Sequence, residues 1–102
     1  KNTRVETNQL KNYVWVVHIN GQKLEVIDES GCEWTFALYS LCAPLLQVVR
    51  RNGFYAAANL KCISANNIES LGESSFAYCY NLKVVRMDKV VIIPENCFEN
   101  CR

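Results

Sequence analysis

The chain has 102 residues, a formal net charge of +1, and a composition that is 50% hydrophobic and 21% charged. That is enough chain for one small folded domain, and too apolar for a disordered segment. The balanced charge argues against a nucleic-acid partner, and no apolar run approaches the roughly 18 residues of a membrane span, so no membrane insertion is expected within this segment.

Residues 1–12 are polar and read as a loose N-terminal segment. Residues 13–33 read as a β-hairpin or solenoid cap. The apolar run from Tyr13 to Ile19 and the stretch Leu24-Glu25-Val26-Ile27 flank Asn20-Gly21, a strong type I′ turn signal. Pairing across that turn sets Val17 opposite Leu24 and Trp15 opposite Val26, with His18, Lys23 and Glu25 on the other face. Such a one-sided hairpin would shield the open end of a stack.

Residues 34–102 read as a repeat region, poorly formed at its start. Tyr39-Ser40-Leu41-Cys42-Ala43-Pro44-Leu45 is similar to Phe76-Ala77-Tyr78-Cys79-Tyr80-Asn81-Leu82, but Tyr39 lies only 15 residues before Phe54. This is a shortened turn or an imperfect first repeat. From residue 60 the pattern is clear. Leu60-x-x-Ile63-x-Ala65-x-x-Ile68-x-x-Leu71 recurs 22 residues later as Leu82-x-x-Val85-x-Met87-x-x-Val90-x-x-Ile93. Phe54, Phe76 and Phe98 share one phase, and Ala57, Cys79 and Cys101 another. A fixed period in the range of about 20–29 residues points to a solenoid whose turns must stack to bury a core. Ile63-x-Ala65 and Val85-x-Met87 alternate as strands do. After Leu71 and Ile93 a short helical turn is expected, with Pro94 at its first position and Glu73 and Glu95 at its positive end. The sequence ends part-way through a repeat, so the region reads as truncated at its C-terminal end.

Six cysteines are available for chemistry. Cys79 and Cys101 share a repeat phase and read as small core residues. Strands stacked about 4.8 Å apart would bring them within disulfide range, but parallel side chains are poorly aimed for a bridge, and free thiols are expected. Cys97-x-x-x-Cys101 supplies two metal ligands of the four needed, so no metal and no cofactor is expected. His18 is the one histidine. A Cys–His pair with Cys32 or Cys42 would make a cysteine hydrolase, but no local motif supports it, and no catalytic residue is expected. Asp28, Glu29 and Glu33 read as a solvated loop.

The better binding candidate is the sheet face. Residues between the buried strand positions should project outward. They are Cys62, Ser64 and Asn66 in one turn, and Val84, Arg86 and Asp88 in the next. With Lys61 and Lys83 at the strand starts, the candidate protein-binding face is Lys61, Ser64, Asn66, Lys83, Arg86 and Asp88. Tyr55, Tyr78 and Tyr80 are near-surface aromatics lying off that face.

The run Leu71-Gly72-Glu73-Ser74-Ser75-Phe76-Ala77-Tyr78-Cys79-Tyr80-Asn81-Leu82-Lys83-Val84-Val85 resembles a leucine-rich repeat of the BspA type, as does Ile93-Pro94-Glu95-Asn96-Cys97-Phe98-Glu99-Asn100-Cys101. The resemblance covers residues 49–102 well, 34–48 poorly and the hairpin not at all. Ser75 and Cys97 stand where the family usually has alanine, and Ala57 where it has cysteine. The resemblance implies an α/β repeat solenoid, right-handed, with a parallel β-sheet on one face and short helical turns on the other. It implies a non-catalytic module, common on bacterial and protist cell surfaces, that adheres to or scaffolds a protein partner. A purely structural segment of a longer solenoid is the alternative. The compartment, cell surface or cytoplasm, is left open, since no signal peptide or transmembrane segment is visible.

Overall fold

The computed structural model describes residues 3–13 and 15–101. Val14, the first two residues of the expected loose segment and Arg102 lie outside that description. The strands are β1 (Arg4–Val5), β2 (His18–Asn20), β3 (Val26–Ile27), β4 (Ser40–Cys42), β5 (Val48–Val49), β6 (Cys62–Ser64), β7 (Ser70–Leu71) and β8 (Val84–Arg86). They form two parallel four-stranded sheets, ordered β1-β3-β5-β7 and β2-β4-β6-β8. Consecutive strands therefore alternate between sheets, and each coil of chain supplies one strand to each.

The register is the same everywhere. Arg4 pairs with Val26, Val26 with Val48 and Val48 with Ser70. His18 pairs with Ser40, Ser40 with Cys62 and Cys62 with Val84. Every step is 22 residues, so each inward position becomes a column through the molecule. Leu41 and Ile63 from one sheet meet Ile27, Val49 and Leu71 from the other, and Leu24, Leu46 and Ile68 with Leu38, Leu60 and Leu82 fill the corners between them. Phe54, Phe76 and Phe98 stack nearly parallel, with centroids 5.2 and 5.6 Å apart. Such offset stacking adds to the area they bury.

Three expectations are overturned. The first is the hairpin. β2 and β3 belong to different sheets, so Val17 does not face Leu24, nor Trp15 Val26. Asn20-Gly21 is a bend between sheets: the Gly21 amide bonds the Cys42 carbonyl of the next coil, and Gly21 has no positive φ. Its lack of a Cβ matters for space, since one would sit 2.8 Å from Leu24 Cβ. Nor are residues 3–12 a loose end. β1 is a sheet strand, and the amides of Asn8, Leu10 and Asn12 bond the next coil.

The third is the helical turn, and with it the α/β class. Among the described residues there is no helix; the fold is a parallel β-solenoid. The segment after the first-sheet strand carries two left-handed residues four apart in every coil: Asn8 and Asn12, Ser30 and Trp34, Asn52 and Ala56, Ser74 and Tyr78, Asn96 and Asn100. A left-handed residue every fourth position prevents a continuous i to i−4 ladder. The amides divide instead. Gly53 and Tyr55 bond back three residues to Arg50 and Asn52, while Asn52, Phe54 and Ala56 bond forward to Glu73, Ser75 and Ala77 of the next coil. These corners thus continue the inter-coil hydrogen bonding of the sheets and leave few backbone groups unpaired.

Candidate binding surface

The outer face of the β2-β4-β6-β8 sheet carries two rows set by the pleat: His18, Ser40, Cys62 and Val84, then Asn20, Cys42, Ser64 and Arg86. The expected face residues fall here as pairs one coil apart. Ser64 is the strand partner of Arg86. The Lys83 amide bonds the Lys61 carbonyl at the strand starts, and Asn66 and Asp88 follow the strand ends in one phase. Ser64, Asn66, Lys83, Arg86 and Asp88 are exposed, and Lys61 is half-buried. Its ammonium lies 5.8 Å from the centre of the Tyr39 ring, close enough for a cation–π contact.

His18 Nδ1 is 2.7 Å from Ser40 Oγ, and its ring meets the edge of Tyr39. No hydrogen bond joins it to a cysteine among the described residues. Two surface hollows of about 250 and 420 Å³ lie elsewhere and are lined by neither His18 nor any cysteine. The pair sits on an open sheet without an enclosing cleft.

The six cysteines are unbridged. Cys32 takes the phase that phenylalanine holds in later coils, and burial pushes its thiol up to about 12. The Cys79 thiol donates to the Phe54 carbonyl at 3.3 Å, and the Cys101 thiol to the Phe76 carbonyl at 3.1 Å. Interaction with Cys101 and burial raise the Cys79 thiol, while the Cys79 thiol lowers that of Cys101 to about 7. Cys42 and Cys62 stand on the outer sheet face, but the partner of Cys42 is Ser64 and that of Cys62 is Ser40, so they are diagonal. Among the described residues no three metal-ligating side chains come together, and no helix is long and apolar enough to cross a membrane.

A second surface was only partly visible in the sequence. Five aromatic rings line the corner between the left-handed segments and the β2-β4-β6-β8 sheet. Phe36 lies 5.4 Å from Trp34, Trp34 6.1 Å from Tyr55, Tyr55 5.3 Å from Tyr78 and Tyr78 6.0 Å from Tyr80. Trp34, Phe36 and Tyr80 are 37%, 44% and 46% exposed. The three tyrosines are expected near-surface aromatics off the sheet face; Trp34 and Phe36 join them only once the 22-residue phase is carried back through the chain. Tyr39, three residues past Phe36, leads from this corner onto the sheet.

Comparison with protein-family models found six copies of the BspA type leucine-rich repeat across residues 21–102. The chain belongs to this family. The matched region of this BspA-type repeat protein opens at Gly21, inside the segment expected to be a hairpin, in agreement with the register. It includes all six expected face residues and the aromatics from Trp34 to Tyr80. Neither a curated protein nor a solved structure matched the chain.

Proposed function

We propose that this BspA-type repeat protein is a non-catalytic interaction module that binds a protein partner, in adhesion or scaffolding, through the outer face of the β2-β4-β6-β8 sheet. The observation that carries this reading is the face itself. Lys61, Lys83, Ser64 and Arg86 stand in regular rows on an open sheet, a form suited to another protein's surface rather than to a small molecule, which needs a concave pocket. A position on a cell surface, where adhesion would be exercised, belongs to the same reading. Catalysis does not: His18 has a serine partner in the open and no enclosed reacting centre.

Surface plasmon resonance of the immobilised chain against a panel of extracellular matrix proteins tests the proposal. The double charge reversal Lys83→Glu with Arg86→Glu should weaken binding of a partner at least tenfold. Full affinity in the double variant would contradict the sheet-face assignment.

A structural role is favoured by one separate observation. Val85 and Ile93, whose counterparts Ile63 and Leu71 are buried, are 43% and 57% exposed. That apolar edge would accept a further stacked coil. Partner association that survives the charge reversals but is lost with Val85→Asp and Ile93→Asp would favour this reading.

A further inference from the structure

The formal charge of +1 conceals an uneven distribution. The strands of the β2-β4-β6-β8 sheet, with the residue before each and the turn after it, lie within residues 17–23, 39–45, 61–67 and 83–89. These segments hold five cations, Lys23, Lys61, Lys83, Arg86 and Lys89, and one acid, Asp88. The other described residues hold nine acids and four cations. Ion pairing follows the same division. Among the described residues the pairs are Arg4–Asp28, Lys11–Glu33 and Arg50–Asp28, and none involves a cation of this sheet.

Four of the five cations belong to the last two coils. Lys61 and Lys83 share a column, on strands about 4.8 Å apart, where like charges repel. The Lys61 ammonium lies over the Tyr39 ring rather than on a carboxylate. Arg86 ends β8 and Lys89 lies in the turn beyond it. Lys83, Arg86 and Lys89 are exposed, and the outer positions between the cations are the uncharged Cys62, Ser64 and Val84. A patch of one sign draws the opposite sign within a Debye length of about 8–10 Å. Carboxylates seated on it gain that attraction and relieve the repulsion among the cations.

The rest of the molecule narrows the occupant. Acids outnumber cations away from the patch, so a long polyanion would be repelled wherever it overran the patch. A short acidic stretch of protein stays within it. Alternate side chains of an extended segment point the same way, and three of them span about 13 Å; Lys83 and Arg86 are about 10 Å apart along β8.

We infer that the sheet face receives an acidic segment of the protein partner, its carboxylates lying against Lys61, Lys83, Arg86 and Lys89. The inference rests on the protein-interaction reading and names the chemistry of the partner. Charge complementarity of this kind sets specificity and association rate.

The test is an NMR titration of the 102-residue chain, following the amides of Val84, Val85 and Arg86, with the peptide acetyl-Gly-Glu-Gly-Glu-Gly-Glu-Gly-amide. The same peptide with glutamine in place of glutamate is the control. The glutamate peptide should bind at least fivefold more tightly, and the difference should shrink as salt rises from about 50 to about 200 mM. Lys83→Glu should weaken it at least threefold. Arg51→Glu, the same change of net charge outside the face, should leave it within twofold of the unaltered chain. Both residues are exposed, so the variants keep their fold. Equal affinity for the two peptides overturns the inference, as does equal weakening by Lys83→Glu and Arg51→Glu. Binding at least tenfold tighter by a sulfated oligosaccharide or an oligonucleotide of equal charge overturns it too. If a matrix partner is lost in Lys83→Glu/Arg86→Glu while the glutamate peptide fails to bind, the sheet-face reading stands and the acidic segment is refuted.

Discussion

The left-handed positions show how single residues set this coil. Among the described residues ten that are not glycine have positive φ, two in each of five successive corners, at φ between 55° and 66°. Asn and Ser fill seven of the ten, as short polar side chains tolerate this region best. The remaining three are Trp34, Ala56 and Tyr78, in one column. For a residue with a Cβ the left-handed form costs about 1–2 kcal/mol, which glycine avoids at an entropic cost of about 0.5–1 kcal/mol. Ala56→Gly should therefore be neutral or stabilise the fold by up to about 1 kcal/mol. Ala57 is fully buried and has no positive φ. Ala57→Gly should destabilise by about 1–2 kcal/mol through the lost methyl and the added backbone freedom. Urea midpoints of the two variants check this; loss of stability in both, to the same extent, would mean that the left-handed column carries no strain. The strain itself was not legible in the sequence, because Trp34 and Tyr78 occupy positions where neither propensity nor composition suggests a turn.

At the scale of the element, burial varies along each column. Ile63 lies between neighbours on both sides and is fully buried, while Val85 in the same column is 43% exposed. Ile63→Ala should cost about 2–5 kcal/mol, the range for opening a cavity in a packed core. Val85→Ala should cost less than about 1 kcal/mol, because little area is removed from packing. Comparable losses in thermal or urea unfolding would contradict the stacking order β4-β6-β8. The columns also explain what the sequence revealed and what it hid. Residues 60–102 declare their period because Leu60, Ile63, Ile68 and Leu71 recur in kind at Leu82, Val85, Val90 and Ile93. Upstream the same columns are filled by other residues: Cys32 stands where Phe54 and Phe76 stand later, and Thr35 where Cys79 does. Thr35 satisfies its buried hydroxyl on the Cys32 carbonyl at 2.8 Å. With those substitutions Tyr39 reads as the counterpart of Phe76, seven residues out of phase, and the period is masked. The expected helical turn fails for a different reason. Phe76 and Cys79 do share an inward face, as helical spacing requires, but two left-handed turns produce the same spacing without a helix.

Across the whole molecule, a parallel solenoid lets one local rule act everywhere. Each coil leaves its amides and carbonyls for the next, so a residue's environment is set by what lies 22 positions away more than by its sequence neighbours. The candidate site follows the same rule. The pairs Lys61 with Lys83 and Ser64 with Arg86 were legible because they sit in the two clear repeats. The aromatic corner was legible only in part: Tyr55, Tyr78 and Tyr80 read as near-surface rings, whereas Trp34 and Phe36 lie in a coil whose phase is hidden by Cys32 and Thr35. Asn20-Gly21 carried the strongest local signal in the chain, and it gave way because the columns of Ile19 and Leu24 bury more surface in two parallel sheets than a lone hairpin could. The 22-residue register therefore begins in the first coil and runs through residues 15–28 without a hairpin. A NOESY spectrum of the isotope-labelled chain measures this directly. The register predicts contacts of Ile19 with Leu41 and of Val26 with Val48, while cross-strand contacts of Val17 with Leu24 and of Trp15 with Val26 would contradict it.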